Sequence, residues 1–218
     1  MSPKDRSMRE SRLPVDLRAD DDVKVGYPSG RGAHRQPSIG ADARLRSGTV
    51  IYDGVEIGDR FQTGHHVIVR EECTIGNDVS IWSNSIVDYG CTIGDGVKIH
   101  SNCYIAQFSH IASGAFIAPG VTFANDLYPG FPESANNMLG PFIDQEAQIG
   151  VNATVLPFVT IGKGTIIGAG SVVTRSIAAG KVAFGCPAVP VRNVTDIDDI
   201  EQRVAGAANR SRYRNRAP

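Results

Sequence analysis

Side chains able to do chemistry gather at a few places along this chain. His100 and His110 carry imidazoles whose ordinary pKa lies near neutrality, which suits a general base. Asn125-Asp126 combines an amide with a carboxylate just ahead of an irregular stretch, where the pair could serve a ligand or only turn the chain. His65-His66 invites a metal reading, but neighbouring histidines at a turn diverge, so no metal is expected. Amide side chains hydrogen-bonded from His66 through Asn84 to Asn102, or contact with a substrate, are the other accounts of that stretch. Trp82 should face outward, to stack on a planar ligand or to pack against a neighbouring chain. Gly168-Ala169-Gly170 leaves a stretch of backbone with little side chain over it. No serine or cysteine sits in a recognisable nucleophile motif, which speaks against a covalent enzyme intermediate.

These residues fall on one repeating element. Residues 39–128 divide into fifteen hexads in one register, from IGADAR and LRSGTV to IAPGVT and FANDLY. The first place of each is Ile, Val, Leu or Phe, with Thr63 the single exception, and turn-forming pairs such as Asn77-Asp78 and Asp95-Gly96 lie between. A period of six is a strand pattern with a regular corner. Three hexads make a triangular coil of 18 residues that stacks on the next at roughly 4.8 Å. Six more hexads follow over 143–178, giving 21 in all and hence seven coils of a parallel β-helix. The loop 129–142 interrupts them, and long irregular loops of this kind are usually functional.

Stacking converts sequence position into columns. Residues 168–170 should lie above 150–152, 118–120, 100–102, 82–84 and 64–66. Asn125-Asp126 should share a different corner with Gln107-Phe108 and Pro157-Phe158, and His110 should lie below Tyr128.

The ends frame this body. Residues 1–38 read as a mobile segment and an irregular lead-in that closes the lower end. The part 179–218 reads as an extended segment, a cap helix with Thr195 as N-cap, and a basic tail. A net charge of −1 gives no reason to expect nucleic acid or membrane insertion. No apolar run suits a membrane span or a signal peptide, so a cytoplasmic chain is expected. Cys73, Cys91 and Cys103 fall at inward places and read as core; Cys186 lies outside the repeats.

The hexads, the loop after an Asn-Asp pair and the closing phrase IGAGSVVTRSIAAGKVAFGCPA resemble the hexapeptide-repeat acyltransferases. Within them, TFANDLYPGFP is similar to the TND-x-x-P segment of enzymes that N-acetylate nucleotide-linked amino sugars, such as the 3-amino-glucuronate N-acetyltransferases of surface polysaccharide synthesis. The resemblance covers residues 39–191. It implies a left-handed helix, an exception to the usual crossover hand, and a homotrimer with coenzyme A in the groove between two helices. Acetyl-CoA would be the cosubstrate and a nucleotide-linked amino sugar the acceptor. Gly168, Ala169, Gly170 and Pro187 would then lie along the pantetheine, and Lys163 and Arg175 would meet the phosphates. Asn125 would orient the amine, and Asp126 would hold its ammonium form or brace the loop. His100, then His110, are the candidate bases, although a deprotonated amine can react by positioning alone. His65, His66, Trp82, Asn84 and Asn102 would contact the sugar or its base. The chain departs from that branch at Gly130, where an Arg is usual, and at Cys186, where Asn is usual. Rival readings are an O-acetyltransferase of a sugar or serine, a carbonic-anhydrase type hydrolyase, and a non-catalytic rod.

Overall fold

The computed structural model describes residues 16–31 and 35–197. Short parallel strands wind into three sheets, the faces of a left-handed parallel β-helix of about eight coils. Face 1 climbs through Glu56–Ile57, Thr74–Ile75, Thr92–Ile93, His110–Ile111, Phe142–Ile143 and Thr160–Ile161. Face 2 climbs through Gln62–Thr63, Ser80–Ile81, Lys98–Ile99, Phe116–Ile117, Gln148–Ile149 and Ile166–Ile167. Face 3 includes Ile68–Val69, Ile86–Val87, Tyr104–Ile105, Thr122–Phe123 and Val172–Val173. Partners stand 18 residues apart, as Ile57 with Ile75 and Ile81 with Ile99.

The first hexad place points inward, so each aliphatic residue sits above one of its own kind. Ile81, Ile99, Ile117 and Ile149 are fully buried in one column, each contributing about 1.5–3 kcal/mol relative to an exposed side chain. Thr63 fits that core because its hydroxyl is satisfied. It accepts from the Arg46 N–H at 2.9 Å and shares a hydrogen bond with the Thr49 hydroxyl at 2.9 Å.

The corners explain the turn-forming residues. A left-handed backbone recurs every six residues from 42 to 120 and again from 146 to 170, at Asp42, Gly48 and Gly54 and so on through Gly170. Gly, Asn and Asp tolerate that conformation best. Asn84 and Asn102 occupy such places, with φ of 61° and 62°. The expected amide ladder is therefore corrected: the bonds linking that column are Asn84 N–H to His65 C=O at 2.9 Å, Asn102 N–H to Ser83 C=O at 3.0 Å and His65 N–H to Ser83 Oγ at 3.0 Å, and none comes from an Asn amide. A side-chain ladder exists on the corner between faces 1 and 2. There Asp59, Asn77 and Asp95 each accept from a backbone N–H one coil away, at 2.8, 2.8 and 2.7 Å.

The ends also differ from expectation. The lead-in contributes Arg18–Ala19 to face 2 and Lys24–Tyr27 to face 3, which raises the coil count above seven. The segment after Gly180 is a strand, Lys181–Gly185, parallel to Ile166–Ile167 and folded back as Ala188–Asn193. A 3₁₀ turn follows at Val194–Asp196, capped by Asn193 through reciprocal bonds with Asp196 rather than by Thr195. Residues 1–15, the rest of the expected cap helix and the basic tail lie outside the described residues. Cys73, Cys91 and Cys103 are buried free thiols and Cys186 is exposed. Among the described residues no helix is long and apolar enough to cross a membrane.

Candidate active site

The six-residue rhythm breaks at Asp126, the first place in register that lacks the left-handed backbone. The Leu139 N–H donates to the Asn125 C=O at 2.9 Å, so 13 residues form a closed excursion from the corner between faces 3 and 1. Its base is held by side chains. The Asn125 amide nitrogen donates to Gln107 Oε1 one coil below and to Met138 Sδ at 3.3 Å. Asp126 Oδ1 accepts from the Tyr128 N–H at 2.8 Å and from the Ser134 hydroxyl. Among the described residues Asn125 Oδ1 and Asp126 Oδ2 accept no hydrogen bond. Beside them lies a cavity of ≈ 500 Å³ lined by Leu127, Tyr128, Phe131 and Phe158 together with Asp126, Glu133, Ser134 and Asn137. Asp126 thus braces the loop rather than merely turning the corner.

The excursion also shifts the register above it. Phe142, not Tyr128, stands over His110. Their rings stack with centroids 4.5 Å apart and 8° between planes.

The corner between faces 2 and 3 gathers most of the other candidates. The backbone steps from Ser47 to His66, from His65 to Asn84, from Ser83 to Asn102, from Ser101 to Gly120, from Pro119 to Asn152 and from Val151 to Gly170. Gly168-Ala169-Gly170 ends this column and lies against the returning hairpin. The Gly168 N–H donates to the Ala183 C=O at 2.8 Å, and the Gly185 N–H donates to Ser171 Oγ at 3.3 Å, beside the cis Cys186-Pro187 bond. Trp82 is exposed and begins an aromatic pile, with ring centroids 6.3 Å from His100, which in turn lies 4.7 Å from Phe116. His65 and His66 diverge, their centroids 6.5 Å apart. Lys163 is on the corner between faces 1 and 2, bonded to Gln145 at 3.3 Å. Arg175 lies on the corner of Asn125. Within one chain, neither cation meets the glycine corner, and His100 does not meet Asn125.

Residues 90–125 and 140–175 match the bacterial transferase hexapeptide family (six repeats), and residues 72–107 match the hexapeptide repeat of succinyl-transferase. Over those residues the solenoid is similar to transferase hexapeptide repeats. The 2,3,4,5-tetrahydropyridine-2,6-dicarboxylate N-acetyltransferase of Staphylococcus aureus is 31% identical over 98 residues, which is 45% of this chain and 36% of that protein. The chain thus spans about a third of the length of the curated relatives it matches. The crystal structure of the polySia-specific acetyltransferase NeuO has the same fold, with a TM-score of 0.51 at 18% identity over 90% of this chain and 92% of that one. A point mutant of AntD, an N-acyltransferase from Bacillus cereus in complex with dTDP and coenzyme A, matches with a TM-score of 0.41, at 18% identity, over 79% of this chain and 89% of that one.

Two groups in the solenoid escaped sequence reasoning. One is the aromatic cavity, which joins Tyr128 and Phe131 of the excursion to Phe158 of the next coil. The other is an ion cluster lower on the same corner. The fully buried Glu71 carboxylate bonds Arg70 at 2.8 and 3.0 Å and lies 3.3 Å from Arg31. Asp88 accepts from the Tyr104 hydroxyl at 2.7 Å and lies 3.6 Å from Arg70. Burial pushes the Glu71 carboxyl up more than any other single cause, but the Arg70 hydrogen bonds, its own backbone N–H and the charges of Arg70 and Arg31 together outweigh it, and the group ends below the usual glutamate range. Burial, then the bond to Asp88, pushes the Tyr104 hydroxyl well above its ordinary value. Counting by 18 would have paired Arg70 with Asp88; nothing in the sequence marks Arg31 as their third partner.

Proposed function

We propose that this chain is an acyltransferase working in the cytoplasm, moving an acetyl group from acetyl-CoA to the amino group of a nucleotide-linked amino sugar by direct transfer. The observation that carries this reading is the excursion. Among the described residues the rhythm of left-handed corners between 42 and 170 breaks only there. The break leaves an aromatic cavity beside one amide oxygen and one carboxylate oxygen free to receive an amine. The hexapeptide match and the N-acetyltransferase relative support an acyl donor and an amine acceptor.

In this reading Asp126 Oδ2 receives the ammonium form and Asn125 Oδ1 orients the neutral amine. The nitrogen lone pair attacks the thioester carbonyl carbon, the carbon–sulfur bond breaks, and the leaving thiolate takes up the proton the nitrogen loses. Gly168, Ala169, Gly170 and Pro187 offer the backbone surface for the pantetheine. The two corners of one chain point in different directions, so the reading requires a homotrimer in which the Asn125 corner of one chain meets the glycine corner of the next. Lys163 or Arg175 then reaches the coenzyme phosphates across that boundary.

Thiol release by the purified protein, with acetyl-CoA and a panel of nucleotide-linked amino sugars beside their hydroxyl analogues, tests the reading. Amide products alone support it. Ester products, lost in His100→Ala, would establish the O-acetyltransferase instead.

A further inference from the structure

We infer that Gln107 is a positioning residue for the transfer: it decides which end of the Asn125 amide faces the incoming amine. The inference rests on the functional reading above and adds a residue to it. An asparagine amide presents an oxygen that only accepts hydrogen bonds and a nitrogen that only donates them. A neutral amine answers with its N–H bonds or with the lone pair that must attack the thioester carbon. Toward the amide oxygen it turns an N–H, and the lone pair stays free. Toward the amide nitrogen it turns the lone pair itself, and the nucleophile is tied up.

The geometry selects the first arrangement. Both protons of Asn125 Nδ2 have acceptors, Gln107 Oε1 one coil below and Met138 Sδ at 3.3 Å. The thioether sets the direction, because its sulfur has no proton to give and would repel an amide oxygen in the same place. Asn125 Oδ1 is left over for the ligand. Met138 belongs to the excursion, whereas Gln107 stands on a corner of the solenoid that is itself fixed. Beside it Phe108 takes the left-handed backbone with φ of 59°, and its N–H donates to the Tyr89 C=O at 3.3 Å. The Phe108 ring meets Tyr89 edge to face, with centroids 5.2 Å apart. Gln107 and Asn125 are both half-buried, which limits competition from water for the bond between them.

The test compares kcat among full-length variants, with acetyl-CoA and UDP- and dTDP-linked amino sugars. Gln107→Leu removes the acceptor and should lower kcat about tenfold while leaving coenzyme A binding by calorimetry unchanged. Gln107→Glu keeps an acceptor and, as a carboxylate, has no proton to give, so its kcat should stay within about threefold of the wild type. In an Asn125→Ala background Gln107→Leu should change kcat by less than about twofold, because the amide it positions is gone. Gln107→Leu as active as the wild type, Gln107→Glu as impaired as Gln107→Leu, or a loss that persists without the Asn125 amide overturns the inference while leaving the functional reading intact. Wild-type turnover by Asn125→Ala, or transfer to none of these sugars, overturns both.

Discussion

Two corners of the same solenoid are built in opposite ways. On the corner between faces 2 and 3 the coils are joined mainly backbone to backbone, from Ser47 up to Gly170. That regularity leaves a smooth edge of small residues at its end. On the corner between faces 3 and 1 side chains do much of the joining: Asp53 to the Ser29 N–H, Glu71 to Arg31, Asp88 to Tyr104, Gln107 to Asn125. A corner already held by side chains can lose its left-handed turn at Asp126 and admit an excursion without unstacking the coils above. The proposed division of labour follows, with a thin coenzyme along the smooth corner and a shaped acceptor at the irregular one.

The largest effect that would sharpen this contrast is expected at Asn125. Asn125→Ala should cut kcat/KM about 100-fold or more, roughly 3 kcal/mol of transition-state stabilisation, with coenzyme A binding by calorimetry unchanged. A smooth edge should fail differently. An added Cβ at Gly168 would stand 2.7 Å from Phe184 Cβ, so Gly168→Val displaces the hairpin and should weaken coenzyme A binding about tenfold. It should spare binding of the amino sugar.

The ion cluster predicts a stability change next in size. Glu71→Gln should cost about 2 kcal/mol in denaturant unfolding, less than a fully enclosed ion pair because Arg31 and Arg70 keep access to water. Its pH dependence has a definite sign. The folded protein holds the Glu71 proton more weakly than the unfolded chain. The stabilisation is therefore complete above the ordinary glutamate pKa of about 4.3 and is lost as pH falls through the lower folded value. A melting-temperature profile from pH 6 to pH 3 should be shallower for Glu71→Gln than for the wild type. The smallest effect is expected for Trp82→Ala, about 0.5 kcal/mol in stability, since its ring is half open to solvent.

The contrast between corners also shows what could be read from the chain alone. The hexads were legible because each inward place demands an aliphatic residue and each corner tolerates a left-handed Gly, Asn or Asp. Which of those corner residues act through their side chains was not legible. Asn77, at the third hexad place, does so, and Asn84, at the left-handed fourth place, does not. The strand Lys24–Tyr27 escaped the count because it pairs with Val50–Tyr52 through a register shift. Counting placed Phe158 on the corner of Asn125 correctly. It could not place Tyr128, because the fold of the excursion depends on the hydrogen bonds of Asp126 and not on a period.

The central claim is that the two corners are halves of one site supplied by neighbouring chains. Mixing Asn125→Ala with Gly168→Val, after dissociation and reassembly, tests it directly. Random hybrid trimers should recover about a quarter of wild-type acyl transfer, because about one boundary in four then joins two intact corners. Hybrids that form but, at acetyl-CoA well below its KM, give no more acyl transfer than the mean of the two parents would contradict the account.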